Sequence, residues 1–153
     1  MQQTLSPNNN PGGDPATERT TTANPVDFNT KKGWFVDLPD AGERVNVDPV
    51  LQLGTLAIPS NNPTSDACVA GGYGWINFLD FRTGAYVPGA TANTASNRIA
   101  ASLIVGINVV QLPGGEVKTI VTTADNQQLT EATPVNPPSI EGKRVSWREL
   151  IVQ

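Results

Sequence analysis

Apolar positions in this chain come in short runs cut by turn residues. Gly33-Trp34-Phe35-Val36-Asp37-Leu38 is an aromatic and β-branched run that stops at Pro39 and Asp40-Ala41-Gly42, which predicts a strand and a turn. Arg44-Val45-Asn46-Val47-Asp48 alternates polar and apolar with period two, as a half-buried strand does. Val50-Leu51-Gln52-Leu53 and Thr55-Leu56-Ala57-Ile58 continue it around Gly54, with Pro59 and the Asn-rich stretch to Asp66 as the expected stop. A sharper hairpin follows: Gly74 to Phe81, then Arg82-Thr83-Gly84, then Ala85-Tyr86-Val87-Pro88. Asp80 stands where its carboxylate accepts backbone N–H groups two or three residues on, and Gly84 where a positive φ closes the turn.

Residues 89–97 read as a surface loop, and Leu103 to Val110 as a buried strand with a bulge at Gly106. Pro113-Gly114-Gly115 supplies a hairpin tip, Val117 to Thr123 the return strand, and Asp125 to Gln128 a polar turn. Residues 133–143 form an extended connection. The segment Arg144 to Val152 reads either as a closing strand, with Val145, Trp147 and Ile151 on one face, or as a short helix capped by Ser146 with Glu149 three residues later; the strand is favoured.

The first thirty residues hold six Thr, five Asn and four Pro, with few large apolar groups to offset chain entropy. Residues 1–24 therefore read as a flexible linker or loop. Fourteen Gly and thirteen Pro spread along 153 residues are hard to reconcile with long helices and suit many short strands. The expected class is all-β, with antiparallel strands and hairpins following a disordered N-terminal segment.

A formal charge of −4, with ten Lys and Arg scattered singly or in pairs, speaks against nucleic acid as a partner. The longest apolar stretch, Ile99 to Leu112, is too short to span a bilayer and is interrupted by Ser102, Gly106 and Asn108. The N-terminus lacks the basic and apolar blocks of a signal peptide, so export is expected to be directed from elsewhere, the chain being part of a longer one. Cys68 is the only cysteine and reads as a free thiol.

The chemistry of catalysis is thinly represented. There is no His, no Gly-rich phosphate loop and no nucleophile elbow around a Ser, so the chain is expected not to be an enzyme, with no catalytic, cofactor or metal residue to name. A carboxylate pair such as Asp37 with Glu43 could serve glycoside chemistry, but both stand in or beside a predicted turn. The tryptophans could stack on sugars or anchor a partner; packing is the favoured role for Trp34 and Trp75, and Trp147 is placed against the terminal strand.

Gly33-Trp34 and Gly74-Trp75 each open a strand that ends in Asp, a turn and a Gly, at Gly42 and Gly84. Their offset, about 40 residues, is blade spacing. The second copy resembles the Gly…Leu-Asp-x-x-Thr-Gly strand-turn of quinoprotein-type β-propellers. More specifically, Lys32 to Pro39 followed by Gly42 to Pro49 resembles the late propeller segment of the PilY/PilC type IV pilus adhesins. Asp66-Ala67-Cys68 with Gly71-Gly72-Tyr73-Gly74-Trp75, Val105 to Asn108, and Arg144 to Leu150 are similar to further segments of that family, in the same order.

The resemblance spans residues 24–151. It implies the C-terminal end of a propeller, residues 25–153, with blade-like units about 33–88 and 99–152. It also implies an exported, extracellular or outer-membrane location at the pilus tip, and a role in pilus assembly, retraction control and surface attachment. The partners implied are the remainder of the same adhesin chain, minor pilins, and host or abiotic surfaces. The family's Asp-x-Asp-x-Asp calcium loop and Arg-Gly-Asp sequence have no match here, so neither site is carried over. The alternative reading is a free-standing extracellular β-rich module that binds carbohydrate or protein. An isolated piece of propeller would leave strand edges and an apolar face in need of a partner.

Overall fold

The structure, a computed structural model, describes residues 1–64, 71–99 and 102–137. It is all-β. Ten strands are present among the described residues: β1 (Gln2–Pro7), β2 (Glu18–Thr21), β3 (Phe35–Asp37), β4 (Val50–Gln52), β5 (Thr55–Pro63), β6 (Gly72–Asp80), β7 (Thr94–Ile99), β8 (Ile104–Gln111), β9 (Val117–Thr123) and β10 (Gln128–Ala132). Seven of them form one curled sheet in the order β3-β1-β2-β7-β6-β5-β4, and three form a second sheet in the order β10-β9-β8.

Alternation along β6 separates the two faces of the large sheet. Ile76 and Phe78 point to one side and join Ala57, Val87, Ile99, Ile104 and Val121 in the main core, which fastens the three-stranded sheet onto β5, β6 and β7. Trp75, Asn77 and Leu79 point to the other side. There Leu79 meets Leu5 and Ala95, with Trp34, Val36, Leu38, Ile58 and Tyr86 packed against them.

The topology accounts for what covers that second face. β3 and β4 follow each other in sequence yet occupy opposite edges of the sheet, so the chain between them crosses from edge to edge. This strap, residues 38–49, makes contacts with β2, β5 and β6 on the way, and Arg44 pairs in antiparallel fashion with Asn61 at the far edge.

Several expectations hold. The Asp80 turn forms as read: its Oδ1 accepts from the N–H of Arg82 (2.9 Å) and Thr83 (3.2 Å), and Gly84 takes φ +70. The β8–β9 hairpin turns at Gly115, and the register shifts between Ile104 and Gly106 as a bulge does.

Others are corrected. Residues 1–24 are not a loop throughout, because β1 and β2 pair within them and β2 pairs β7. Order there comes from side-chain hydrogen bonds more than from apolar mass. Gln3 is fully buried; its Nε2 donates to the carbonyls of Asn24 (2.8 Å) and Thr83 (2.7 Å), and its Oε1 accepts from Thr22 Oγ1 and Asn24 N–H. Residues 45–49 are not a strand, since only Arg44 of that run finds a ladder partner.

Pro59 does not stop β5, which runs on to Pro63. The N–H of Asn61 points toward Arg44, so by alternation the nitrogen of Pro59 faces the same outer side, between the end of β4 pairing at Ala57 and the Arg44 bridge. No ladder bond is lost there. The stretch 33–88 does not form a sheet of its own: its strands share one sheet with β1, β2 and β7. Residues Arg144 to Val152, with Trp147, and Cys68 lie outside the described residues.

Candidate binding site

The strap is held by a buried charge cluster. Arg19, on β2, lies with its guanidinium carbon 3.7 Å from the centroid of the Trp75 ring. Its Nη1 donates to both carboxylate oxygens of Glu43, at 3.0 and 3.1 Å, and its Nη2 forms an ion pair with Asp40 Oδ2 at 2.6 Å. The Glu43 side chain has no exposed surface and also accepts from Ser60 Oγ (2.6 Å) and from the Asp40 N–H. Behind it, Asn77 Nδ2 donates to Ser60 Oγ and Ser96 Oγ donates to Asn77 Oδ1, so a polar chain runs across β7, β6 and β5 beneath the strap.

Asp40 Oδ2 also accepts from Tyr73 Oη (2.9 Å) and Trp75 Nε1 (3.0 Å). Burial pushes its carboxyl up, but these donors and the Arg19 cation outweigh burial and hold it below the ordinary carboxylate value. Tyr73 is raised, first by burial and then by the Asp40 carboxylate it donates to. Its ring carries the Arg98 guanidinium 4.2 Å from the centroid.

The residues singled out from sequence fall as follows. Trp34 and Trp75 are not equivalent: Trp34 is half-buried, donates Nε1 to the Phe81 carbonyl and covers Gly84, whereas Trp75 is buried mid-sheet against Arg19. Asp37 and Glu43 do not share a partner. Asp37 is exposed on β3 and accepts from Gln2 Nε2, while Glu43 is sealed against Arg19. Asp80 is bonded within its own turn and to Arg82. Arg19 was missed, because a single Arg in a Thr-rich stretch carries no sequence signal; the signal lay in its partners, the acidic Asp40 and Glu43 beside an aromatic run.

Access from solvent is found elsewhere. A cleft of about 260 Å³ opens where the large sheet meets the chain after β10, lined by Glu18, Phe78, Ala90, Thr91, Thr94 and Asn97, with Gly89 and residues 132–134 completing the wall. Among the described residues no group of three or more His, Cys, Asp or Glu is placed to hold a metal ion, and no helix is long and apolar enough to cross a membrane.

No family model matches the chain, and no match was found among curated proteins or solved structures.

Proposed function

We propose that the chain is a non-catalytic β-module from the C-terminal propeller region of a PilY/PilC-type pilus-tip adhesin, acting in pilus assembly, retraction control and surface attachment. The observation that carries this reading is the meeting of two segments that resemble that family at positions far apart in sequence. Asp40 stands between the Lys32–Pro39 and Gly42–Pro49 segments, and it accepts hydrogen bonds from Tyr73 and Trp75 of the Gly71–Trp75 segment. Asp40, the link between two segments that look like the family's, thus ties them to a third and fixes the strap. The all-β architecture agrees with such a module, and the turn that Asp80 and Gly84 close after β6 is the stretch that resembles a propeller strand-turn.

The test pairs the chain with the remainder of its parent. Thermal unfolding and solution mass are measured for the whole chain, residues 1–153, alone and mixed with the purified remainder, because β1 and β2 are part of the sheet. A higher unfolding temperature and a stable complex are expected, together with loss of surface pili when the parent lacks this stretch. A monomer indifferent to the remainder, or piliation unchanged by the deletion, would overturn the reading in favour of a free-standing binding module.

A further inference from the structure

The cleft beside Glu18 has unspent acceptors on a carboxylate and an amide. Glu18 Oε2 is saturated, accepting from Asn8 Nδ2 (3.1 Å), the Asp14 N–H (3.2 Å) and Thr94 Oγ1 (3.0 Å), whereas Oε1 accepts from none of the described residues. Asn97 donates one Nδ2 hydrogen to Glu131 Oε2 at 3.1 Å, and its Oδ1 accepts from none of the described residues. Neither free oxygen is among the buried unpartnered atoms, and both belong to residues that line the cleft. Thr94 spends its hydroxyl hydrogen on Glu18, and the Thr133 and Thr119 hydroxyls bond to each other. The lining therefore has acceptors to spare at Glu18 and Asn97, two nearby carboxylates, and no described cation paired with either.

The remaining lining is apolar: Phe78 at the floor, with Ala90, Ala132 and Pro134 around it. A volume of about 260 Å³ lies just under the range of drug-sized sites, which selects a small group. We propose that this cleft binds a primary ammonium on a short alkyl stem, the three N–H donors meeting Glu18 Oε1 and Asn97 Oδ1 and the stem lying against Phe78 and Pro134. An ammonium has three donors, no acceptor and a positive charge, which is the complement of these two oxygens and of the Glu18 charge. Both a free alkylamine and a lysine side chain carry that chemistry. The inference is independent of the pilus reading, since it uses only the cleft.

The test is an amide chemical-shift titration of the whole chain with n-butylamine hydrochloride, with Nα-acetyl-lysine methylamide, and with 1-butanol and calcium chloride as controls. Saturable millimolar shifts clustered at Glu18, Thr91, Asn97 and Thr133 are expected with one or both amines. Tighter binding of the lysine amide assigns the source as a peptide, and binding of butylamine alone assigns it as a small amine. Glu18→Gln removes the charge and should weaken binding about fivefold. Because Glu18 also holds Asn8 and Thr94, Ala90→Leu serves as a second variant, filling the cleft without touching the carboxylate, and should abolish the shifts. Equal binding of butanol, the same shifts with calcium, or no saturable shift would each overturn the proposal.

Discussion

Arg19, on β2, lies over the Trp75 ring of β6, guanidinium carbon 3.7 Å from the ring centroid, and the two carboxylates that neutralise Arg19 both come from the strap. A residue of the supposed linker thus holds the crossing chain to the middle of the sheet. Removing one partner of a buried pair leaves the other charge unpaired, at a cost of about 3–5 kcal/mol. Arg19→Met should lower the free energy of urea unfolding by that order. Arg19→Met with Glu43→Gln should recover a substantial part of it, because the stranded carboxylate is gone. A double variant no better than the single one would show that the Trp75 stack, and not the charge balance, carries the interaction.

The acid side of the stability profile follows from Asp40 and Asp80. Burial raises each carboxyl, but donors outweigh it: Tyr73, Trp75 and Arg19 at Asp40, and Arg82 and Thr83 at Asp80, so both sit below 3.8 in the folded chain. A folded value below the unfolded one adds stability that is present above the unfolded value and lost as pH falls through the folded one. Unfolding free energy should therefore be insensitive to these groups near neutrality, start to fall as pH approaches 3.8, and go on falling in stronger acid. Asp40→Asn should be less stable at pH 7 and show a shallower acid slope, read from urea midpoints at a series of pH values.

The contrast between Asp80 and Arg19 shows what was legible in the sequence. Asp80, Gly84, Gly115 and the β8 bulge act within a few residues of themselves, and local turn chemistry is written in local sequence. β1 and β2 were illegible because their buried positions include Gln3, Arg19 and Thr21, with Asn8 just past β1, polar groups of which Gln3, Asn8 and Arg19 find partners far along the chain. Arg44 to Asp48 was misread for a related reason: the alternation suggested a strand, but only Arg44 finds a ladder partner, and the strap is held instead by Asp40 and Glu43 through Arg19 and Trp75 across the sheet. The Glu18 cleft needed the fold, since its lining comes from β2, β6, β7 and the chain after β10.

Gly84 is where the turn and the aromatic cover meet. Its φ is +70, and a Cβ there would lie 2.3–2.4 Å from ring atoms of Trp34. Gly84→Ala combines an unfavourable backbone with a clash, so a loss of about 2 kcal/mol or more is expected. Trp34 must move to admit the methyl group, breaking its bond to the Phe81 carbonyl, and its fluorescence should shift to the red. Trp34→Ala with Gly84→Ala should restore the part due to the clash and leave the backbone part. If the pair is strictly additive, the ring is not what limits this position.

Asn61 is the stitch between the sheets. Its Nδ2 donates to the Ile104 carbonyl (2.8 Å) and to Asn46 Oδ1 (2.7 Å), and its Oδ1 accepts from the Ile104 N–H (2.7 Å), so one amide completes the backbone of a buried residue where β8 begins. Asn61→Ala strands that N–H and carbonyl away from water, costing about 3 kcal/mol in all. Asn61→Asp keeps the acceptor but sets a carboxylate against the Ile104 carbonyl, which favours the protonated form and raises the folded pKa. Stability tied to a raised folded value is present at low pH and lost as pH rises through it, so Asn61→Asp should gain stability relative to the parent as pH is lowered from 7 to about 5. Hydrogen exchange at the Ile104 amide reads the same contact directly. It should quicken sharply in Asn61→Ala and recover in part in Asn61→Asp at low pH, whereas equal exchange in all three chains would mean that Ile104 is protected by the apolar core alone.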